Sequence, residues 1–327
     1  MSKSFFIISL ALLLTGISRA QGQGPFCGVV GTEECTAVAA NDPRIIGWAT
    51  GCTVEFGPIN IQNYPDSIVT FARTGDSALG PAWTNGVYHV VPLGDGGRAT
   101  VTFDEPIHNV DGYDFAVYEN SNDGLFLELA FVEVSSDGEH FVRFPATSLT
   151  QTETQVGTFG QLDATNLNNL AGKYKGGYGT PFDLNELRDS AGIDINNITH
   201  VRVVDVVGSI DPAYGTYDAY GHLVNDPYPT PFYSCGFDLD AVCVLGDPNA
   251  IREANSPIVE LFPNPATDKI MVRLKKPVSV ALFDCTGRQV TQPRMAEDVA
   301  EIEVSALPNG IYFLMAGENC RKVVVRH

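Results

Sequence analysis

The chain has 327 residues, of which 44% are hydrophobic and 18% are charged, and its formal net charge is −19. A negative field of this size disfavours nucleic acid and anionic lipid as partners, and it is compatible with cation binding. The charge is unevenly placed, because residues 21–255 carry nine Lys and Arg against thirty-one Asp and Glu. Residues 256–327 carry nine against eight, which indicates two parts of different character.

The first twenty residues have the pattern of a secretory signal peptide. Lys3 precedes an apolar run from Phe5 to Leu14, and Ser18-Arg19-Ala20 supplies small residues for a cleavage site. The apolar run is too short for a retained membrane anchor. We therefore assign residues 1–20 as a signal peptide and expect a mature chain without a transmembrane segment.

Residues 21–247 have the pattern of one acidic, all-β domain. Short β-branched and aromatic runs alternate with turns, and only residues 183–189 have a helical pattern. We predict strands at residues 98–103, 114–118, 127–134, 201–207 and 237–245. The last four are apolar on both parities, as in strands that are covered on both faces. A jelly roll or other two-sheet β-sandwich is the expected fold.

Several acids lie within these apolar strands. A carboxylate that is buried without a partner costs several kcal/mol, and nine basic side chains cannot neutralise thirty-one acids. Ca²⁺ takes roughly six to eight oxygen ligands, so bound calcium is our leading hypothesis. In the alternative hypothesis the acids are capped by backbone amides and hydroxyls, or they face solvent. The predicted calcium ligands are Asp114, Glu119, Asp205, Asp238 and Asp240.

A tyrosine-rich loop is predicted at residues 208–234, where glycines and prolines preclude a regular element. Tyrosine rings are amphipathic and suit stacking on sugar rings or contact with a protein. In the alternative interpretation the tyrosines fold back as a lid on the sandwich. The predicted ligand-binding residues are Tyr214, Tyr217, Tyr220, His222 and Tyr228.

The seven cysteines indicate an oxidising compartment. We expect Cys27 to pair with Cys35, and Cys285 to pair with Cys320. Of the three remaining cysteines, Cys52, Cys235 and Cys243, one must stay single, and the sequence does not indicate which.

Residues 248–257 are assigned as a linker, and residues 258–327 as a second, smaller β-domain. Alternation at residues 300–304, a β-branched run at 278–283 and two turns predict five or six short strands. A sandwich is the economical way to bury their apolar faces.

Four motifs in this tail carry a resemblance to a known family. They are Leu261-Phe262-Pro263-Asn264-Pro265, Cys285-Thr286-Gly287-Arg288, Leu307-Pro308-Asn309-Gly310 and the terminal Lys322-Val323-Val324-Val325. In this order they resemble the type A C-terminal sorting domain of Bacteroidota type IX secretion cargo. The resemblance implies an immunoglobulin-like sandwich, the secretion machinery as partner, and export through the periplasm to the outer-membrane surface or the extracellular space. Cys285 and Cys320 depart from the family pattern.

The acidic domain resembles a family of uncharacterised bacterial cell-surface proteins. The resemblance rests on residues 112–120, 128–138, 172–178 and 236–242. Residues 134–138 and 237–242 are also similar to galactose-binding-like jelly rolls, including discoidin and carbohydrate-binding modules. This likeness implies a glycan ligand and structural Ca²⁺ near the closing strand.

Catalytic patterns are weak in this sequence. Glu128 and Glu133 differ in parity, so they should point to opposite faces and not form the carboxylate pair of a glycosidase. Tyr220 and His222 leave a lyase open. We expect a noncatalytic binding protein for a glycan or another surface molecule. The alternatives are a polysaccharide-degrading lyase or hydrolase and a structural or adhesive surface protein.

Overall fold

The computed structural model describes residues 24–68, 74–84, 88–246, 258–317 and 319–327. The predicted signal peptide and the predicted linker lie outside these residues. The chain divides into two compact units, and the boundary lies between Leu245 and Gly246. The described part is almost entirely β-structure, which confirms the predicted all-β class.

The N-terminal unit is a sandwich of two antiparallel sheets. Its strands are β1 (Val38–Ala39), β2 (Ile45–Trp48), β3 (Gly51–Glu55), β4 (Pro58–Asn60), β5 (Tyr64–Ile68), β6 (Val91–Pro92), β7 (Arg98–Ile107), β8 (Phe115–Glu119), β9 (Ala130–Ser135), β10 (Val142–Arg143), β11 (Thr147–Ser148), β12 (Leu167–Asn168), β13 (Leu170–Ala171), β14 (Tyr178–Phe182), β15 (Ile198–Asp205) and β16 (Asp238–Leu245). One sheet has the order β1-β14-β8-β16-β2, with β6 also paired to β16. The other has the order β10-β9-β15-β7-β3, with β13 also paired to β9.

The main core lies between these two sheets. Successive side chains of a strand point to opposite faces, so Phe115 and Val117 of β8 enter the core together, as do Val201 and Val203 of β15. Phe115 stacks on Phe182 with ring centroids 5.3 Å apart. Burial of each apolar side chain of this size contributes about 1.5–3 kcal/mol.

Strands β8, β9 and β16 are buried on both faces, as predicted. Strand β15 is not, because its positions 200, 202 and 204 are partly exposed. The predicted burial of this strand on both faces was wrong, because the charged side chain of Arg202 lies on its outer face. The predicted helix at 183–189 is a single 3₁₀ turn at Leu184–Leu187, and further 3₁₀ turns lie at Gly75–Ala78 and Ala164–Asn166.

None of the seven cysteines forms a disulfide in the structure, so the predicted pairs are absent. The Cys27 sulfur instead lies 3.1 Å from the Tyr174 hydroxyl and 3.3 Å from the Lys173 ammonium. Burial raises the pKa of Cys27, but hydrogen bonds with Thr36 and Tyr174 and the charge of Lys173 outweigh burial and lower it to about 7.

The C-terminal unit is a small sandwich of a three-stranded and a four-stranded sheet. Its strands are β17 (Ile258–Phe262), β18 (Lys269–Leu274), β19 (Val278–Asp284), β20 (Arg294–Ala296), β21 (Val299–Glu303), β22 (Gly310–Ala316) and β23 (Asn319–Val325). The sheet orders are β17-β18-β21 and β20-β19-β22-β23. The described residues thus form seven strands, more than the five or six predicted.

The register of this unit explains why Cys285 and Cys320 do not pair. Cys320 lies opposite Met315, which in turn lies opposite Ala281. Cys285 follows Ala281 by four residues, so it is separated from Cys320 by two strand spacings across the sheet and by four residues along the strand. These offsets are about 10 Å and 13 Å, well beyond the Cα separation of about 4.4–6.8 Å that a disulfide spans.

Asn264 of the Pro-Asn-Pro motif connects the segment after β17 to the last strand, β23, by hydrogen bonds. Its Nδ2 donates to the Lys322 carbonyl at 2.9 Å, and its Oδ1 accepts the Val324 amide at 2.8 Å. One motif residue therefore forms hydrogen bonds with another motif, near the C-terminus.

The part of the chain that the structure describes contains no helix with the length and apolar character of a membrane span.

We predict that Asn264→Ala loosens β23, because it removes two hydrogen bonds that are worth about 0.5–1.5 kcal/mol each. Hydrogen exchange of a peptide covering residues 319–327 should accelerate roughly tenfold or more in the full chain. Lys276→Ala, at an exposed position of the same unit, serves as the control and should leave this exchange rate unchanged. Equal rates in wild type and Asn264→Ala would contradict the assignment.

Candidate functional site

Buried carboxylates of the N-terminal unit accept backbone amides from distant segments. Asp205, at the end of β15, is the clearest case: its Oδ2 accepts the Gly96 amide at 2.8 Å and its Oδ1 accepts the Phe237 amide at 2.7 Å. One side chain thus joins β15 to the turn before β7 and to the segment before β16. We call such bonds carboxylate clamps.

Five further acids form the same kind of bond, whereas Glu119 accepts the amide of nearby Ser121. A hydrogen bond to a charged group contributes about 1.5–3 kcal/mol, so these contacts stabilise the loops. The clamps join Asp95 to Ile61, Asp114 to Leu184, Asp218 to Ser148, Asp226 to Leu129, and Asp240 to Trp83. Asp114 also accepts the nearby Val110 amide, and Asp218 those of Tyr220 and His222.

The structure brings together some of the five predicted calcium ligands and separates others. Asp238 interacts electrostatically with both Glu119 and Asp205, and Asp240 interacts with Glu119. Asp114 does not belong to this group, because its electrostatic interaction is with Asp183; its two oxygens accept the Val110 and Leu184 amides at 2.6 Å each. Within the described residues, no three His, Cys, Asp or Glu side chains are placed to hold a metal ion.

Three acids that the sequence analysis did not assign lie in the same neighbourhood, namely Asp95, Glu128 and Asp226. Glu128 lies in the predicted strand 127–134, so the rule that selected the other acids also fits it. Asp95 and Asp226 lie in turns rich in Gly or Pro, where no apolar pattern marks them. Together with Glu119, Asp205 and Asp238 they form what we call the acidic set.

Burial is the main reason why Asp95, Glu119, Glu128, Asp205 and Asp226 have raised pKa values. Burial raises the pKa of Glu119, Glu128, Asp205 and Asp226 well above the ordinary range, and repulsion from neighbouring carboxylates adds to the effect. The pKa of Asp95 rises to about 6 through burial, although the Ile61 amide opposes the shift.

The arginines that the structure describes in this unit pair with other acids. Glu133 on the outer face of β9 binds both Arg143, at 2.7 Å, and Arg202, whose Nε lies 2.6 Å away. Among the described residues, no Lys or Arg forms an ion pair with Glu119, Glu128, Asp205 or Asp226. Glu119, Asp205 and Asp226 instead accept backbone amides, as in the capping that the sequence analysis gave as an alternative.

The tyrosine-rich loop folds back onto the sandwich, as the lid interpretation described. Asp218 Oδ2 accepts the Ser148 amide at 3.1 Å and lies 3.2 Å from Nδ1 of His222. Asn225 is fully buried, and its Oδ1 accepts the Val156 amide at 2.9 Å. Tyr228 is only 4% exposed, with its hydroxyl 3.4 Å from Asn60 Oδ1. Tyr228 therefore packs inside the fold and does not offer a free ring.

Two of the predicted ligand-binding residues, Tyr217 and Tyr220, line a cavity of about 620 Å³. Tyr217 is 47% exposed. Arg143 and Glu186 lie on the same cavity wall, whereas Tyr214, His222 and Tyr228 do not line it. The guanidinium of Arg143 lies 4.3 Å from the Phe131 ring centroid, and Glu186 Oε2 accepts Nδ2 of Asn169 at 2.7 Å. We call this space the tyrosine cavity.

A second cavity, of about 500 Å³, is lined by aromatic side chains and two acids of the acidic set. The acids are Glu128 and Asp238, and Asn120 Nδ2 donates to Asp238 Oδ2 at 3.0 Å. Phe159 stacks on Phe232 with ring centroids 5.7 Å apart and an interplanar angle of 22°. We call this space the phenylalanine cavity. Neither phenylalanine has a sequence signal, because both lie in irregular segments.

Comparison with known proteins identifies the tail of the chain. Residues 260–326 match the family described as "Secretion system C-terminal sorting domain". The C-terminal unit is therefore a sorting domain for the type IX secretion system, and the protein is exported to the cell surface or the extracellular space. No curated protein matches the chain.

Similarities to solved structures are distant. A biofilm-associated protein, BSP domain, is 10% identical with a TM-score of 0.18, and the match covers 70% of this chain and 48% of that chain. A β-glucuronidase from an uncultured Clostridium species is 11% identical with a TM-score of 0.22, covering 92% and 46%. The matched regions thus span about half the length of those chains. At these scores the similarities carry no argument about activity.

The raised pKa values predict an unusual dependence of stability on pH. Burial raises the pKa of Asp240 from 3.8 to about 6, as it does for Asp95, so the folded state holds more protons than the unfolded state between pH 4 and 6. The free energy of unfolding should therefore fall as pH rises through this window. Each pKa unit is worth about 1.4 kcal/mol.

Urea unfolding between pH 4.5 and 6.5 measures this slope. Asp240→Asn keeps an oxygen for the Trp83 amide but removes the titrating group, so it should flatten the slope. Thr84→Ala, next to Trp83, removes no titrating group and should keep the slope of the wild type. Stability that rises with pH across this window would overturn the prediction.

Proposed function

We propose that this exported protein is a noncatalytic binding protein that recognises a glycan in the tyrosine cavity. The proposal is carried by one observation: Tyr217 and Tyr220 share a cavity of about 620 Å³ with Arg143 and Glu186. Ligand sites commonly have volumes of about 300–1,000 Å³ and combine aromatic walls with a few polar groups.

The chemistry of these side chains suits a sugar. Tyrosine rings stack on the apolar face of a pyranose and keep a polar tip for a hydroxyl. A guanidinium supplies donors in a fixed fork, and the carboxylate of Glu186 accepts from hydroxyl groups. The Asp218 clamp fastens the tyrosine loop to β11, so the rings are held in place before a ligand arrives. Such preorganisation lowers the entropic cost of binding.

Binding is favoured over catalysis by the placement of the polar groups. A lyase would need Tyr220 and His222 to face one substrate, but only Tyr220 lines the cavity. His222 is turned to Asp218, whose side chain is fully buried. Asp218 also lines the cavity, but its buried carboxylate accepts the Ser148 amide and so anchors the loop.

Structural calcium is a second element of the proposal. Its support is the repulsion among Glu119, Asp205 and Asp238, which a divalent cation would relieve. It also agrees with the similarity to carbohydrate-binding jelly rolls seen in the sequence. A melting temperature that rises with millimolar Ca²⁺ and falls again with chelator would support this element, and an identical melt in both conditions would end it.

We predict that Tyr217→Ala weakens glycan binding about tenfold or more, because an aromatic platform at a binding site contributes at least 1–2 kcal/mol. A glycan array with the secreted chain would identify the ligand, and titration calorimetry would give the affinities. The matched control is Tyr64→Ala, which removes an exposed tyrosine that lines neither cavity.

The same glycans should be incubated with the protein and assayed for new reducing ends and unsaturated products. Binding without turnover agrees with the proposal. Product release that Tyr220→Phe abolishes would replace it with the lyase reading, and equal affinities of wild type and Tyr217→Ala would remove the tyrosine cavity as the site.

A further inference from the structure

One buried carboxylate, that of Glu128 in the phenylalanine cavity, differs from the others in its contacts. Glu128 is 8% exposed, yet no hydrogen-bond donor of the described residues contacts its carboxylate. Asp205 and Asp226, its neighbours in the acidic set, both accept backbone amides. Glu128 therefore lacks the contact that makes the other buried acids tolerable.

A buried carboxylate without a hydrogen-bond donor is costly, and no donor among the described residues compensates for this one. Loss of its water without a replacement bond costs about 1–3 kcal/mol or more. Asp238, Glu119, Asp226 and Asp205 add electrostatic repulsion, in that order of importance after burial, and the pKa of Glu128 is raised accordingly. Because Glu128 lines an open cavity, the missing partner has room to come from outside the chain.

The walls of the cavity indicate what kind of partner this is. Phe159 is 73% exposed and Phe232 is 45% exposed, although aromatic rings of this size usually bury their surface. Phe126 lies beside them, with its ring centroid 6.2 Å from that of Phe159. Aromatic faces attract cations, and the attraction grows when the site is shielded from water. The cavity therefore combines buried carboxylates, Glu128 and Asp238, with the exposed aromatic rings of Phe159 and Phe232.

We propose that the phenylalanine cavity binds a small organic ammonium ion, whose charged nitrogen pairs with Glu128 and whose carbon skeleton contacts Phe159 and Phe232. The site is separate from the tyrosine cavity, because the described residues that line the two cavities differ throughout. The protein then has two recognition sites of different chemistry, one for neutral sugar rings and one for an amine.

An ammonium ion fits this cavity better than a bare metal ion. Ca²⁺ requires roughly six to eight oxygen ligands, commonly including several carboxylates, but only two carboxylates of the described residues line the cavity, and no third His, Cys, Asp or Glu of those residues is placed to complete a metal site. An ammonium group needs about three acceptors at most. Glu128, Asp238 and the Ser234 or Thr230 hydroxyls on the same wall can supply that number.

Titration calorimetry of the secreted chain in the presence of chelator tests the proposal with two amines. The probes are glucosamine and Nα-acetyl-lysine amide, each compared with an uncharged counterpart of similar shape, N-acetylglucosamine and Nα-acetyl-norleucine amide. At least one amine should bind tenfold or more tightly than its uncharged counterpart. The arm that responds shows whether the amine is carried on a sugar or on an alkyl chain.

Two variants localise the binding. Glu128→Gln should abolish the preference for the charged probe and should also raise the melting temperature, because it removes an uncompensated buried charge. Phe159→Ala, at an exposed position where folding is not at risk, should weaken amine binding about threefold or more. Tyr64→Ala serves as the control and should bind the amine as the wild type does.

The proposal is overturned if neither amine is preferred over its uncharged counterpart, or if Glu128→Gln retains the preference. It is also overturned if the cavity responds to Ca²⁺ alone. Loss of glycan binding in Tyr217→Ala with amine binding intact, or the reverse in Glu128→Gln, distinguishes failure of one site from failure of the other.

Discussion

The N-terminal unit depends on the satisfaction of buried carboxylates by backbone amides. Residues 21–255, with thirty-one acids and nine bases, cannot neutralise their acids by ion pairing. Arginines of the unit bind acids outside the acidic set, such as Glu133, while Asp205, Asp226 and Asp240 accept amides from segments far away in sequence. Each clamp gives a hydrogen-bond partner to two buried groups. One is a carboxylate that has no cation beside it, and the other is a backbone amide that lies outside a sheet. The irregular segments are thereby tied to the strands.

The clamps also explain how both cavities arise. Asp218 holds the tyrosine loop against β11 and so places Tyr217 and Tyr220 beside Arg143. Asp226 accepts the Leu129 amide, and so ties the far end of the same loop to the residue after Glu128. One loop therefore contributes to both cavities while it stays fixed at its polar residues. Exposed aromatic rings on a fixed backbone are a typical arrangement for recognition, and export by the sorting domain puts these rings where external ligands can reach them.

The sequence predicted the strands well, because a strand that is buried on both faces is a run of consecutive apolar residues. The apolar runs of β8 and β16 were recognised directly. Strand β15 was misjudged at Arg202, whose charge pairs with Glu133 on the neighbouring strand. The buried acids were recognised, but their partners were not, since no local pattern links Asp205 to Gly96 across 109 positions. Phe159 and Phe232 were missed for the same reason: the cavity is formed by segments that meet only in the folded chain.

Amide exchange measured residue by residue by NMR tests the clamps most directly. Gly96 and Phe237 donate to the buried Asp205, while Leu125 donates to the exposed Asp123 at a similar distance. If buried carboxylates hold the loops, the Gly96 and Phe237 amides should exchange as slowly as those of the central strands, and that of Leu125 should exchange quickly. Exchange of Gly96 and Phe237 at the rate of Leu125 would contradict the account.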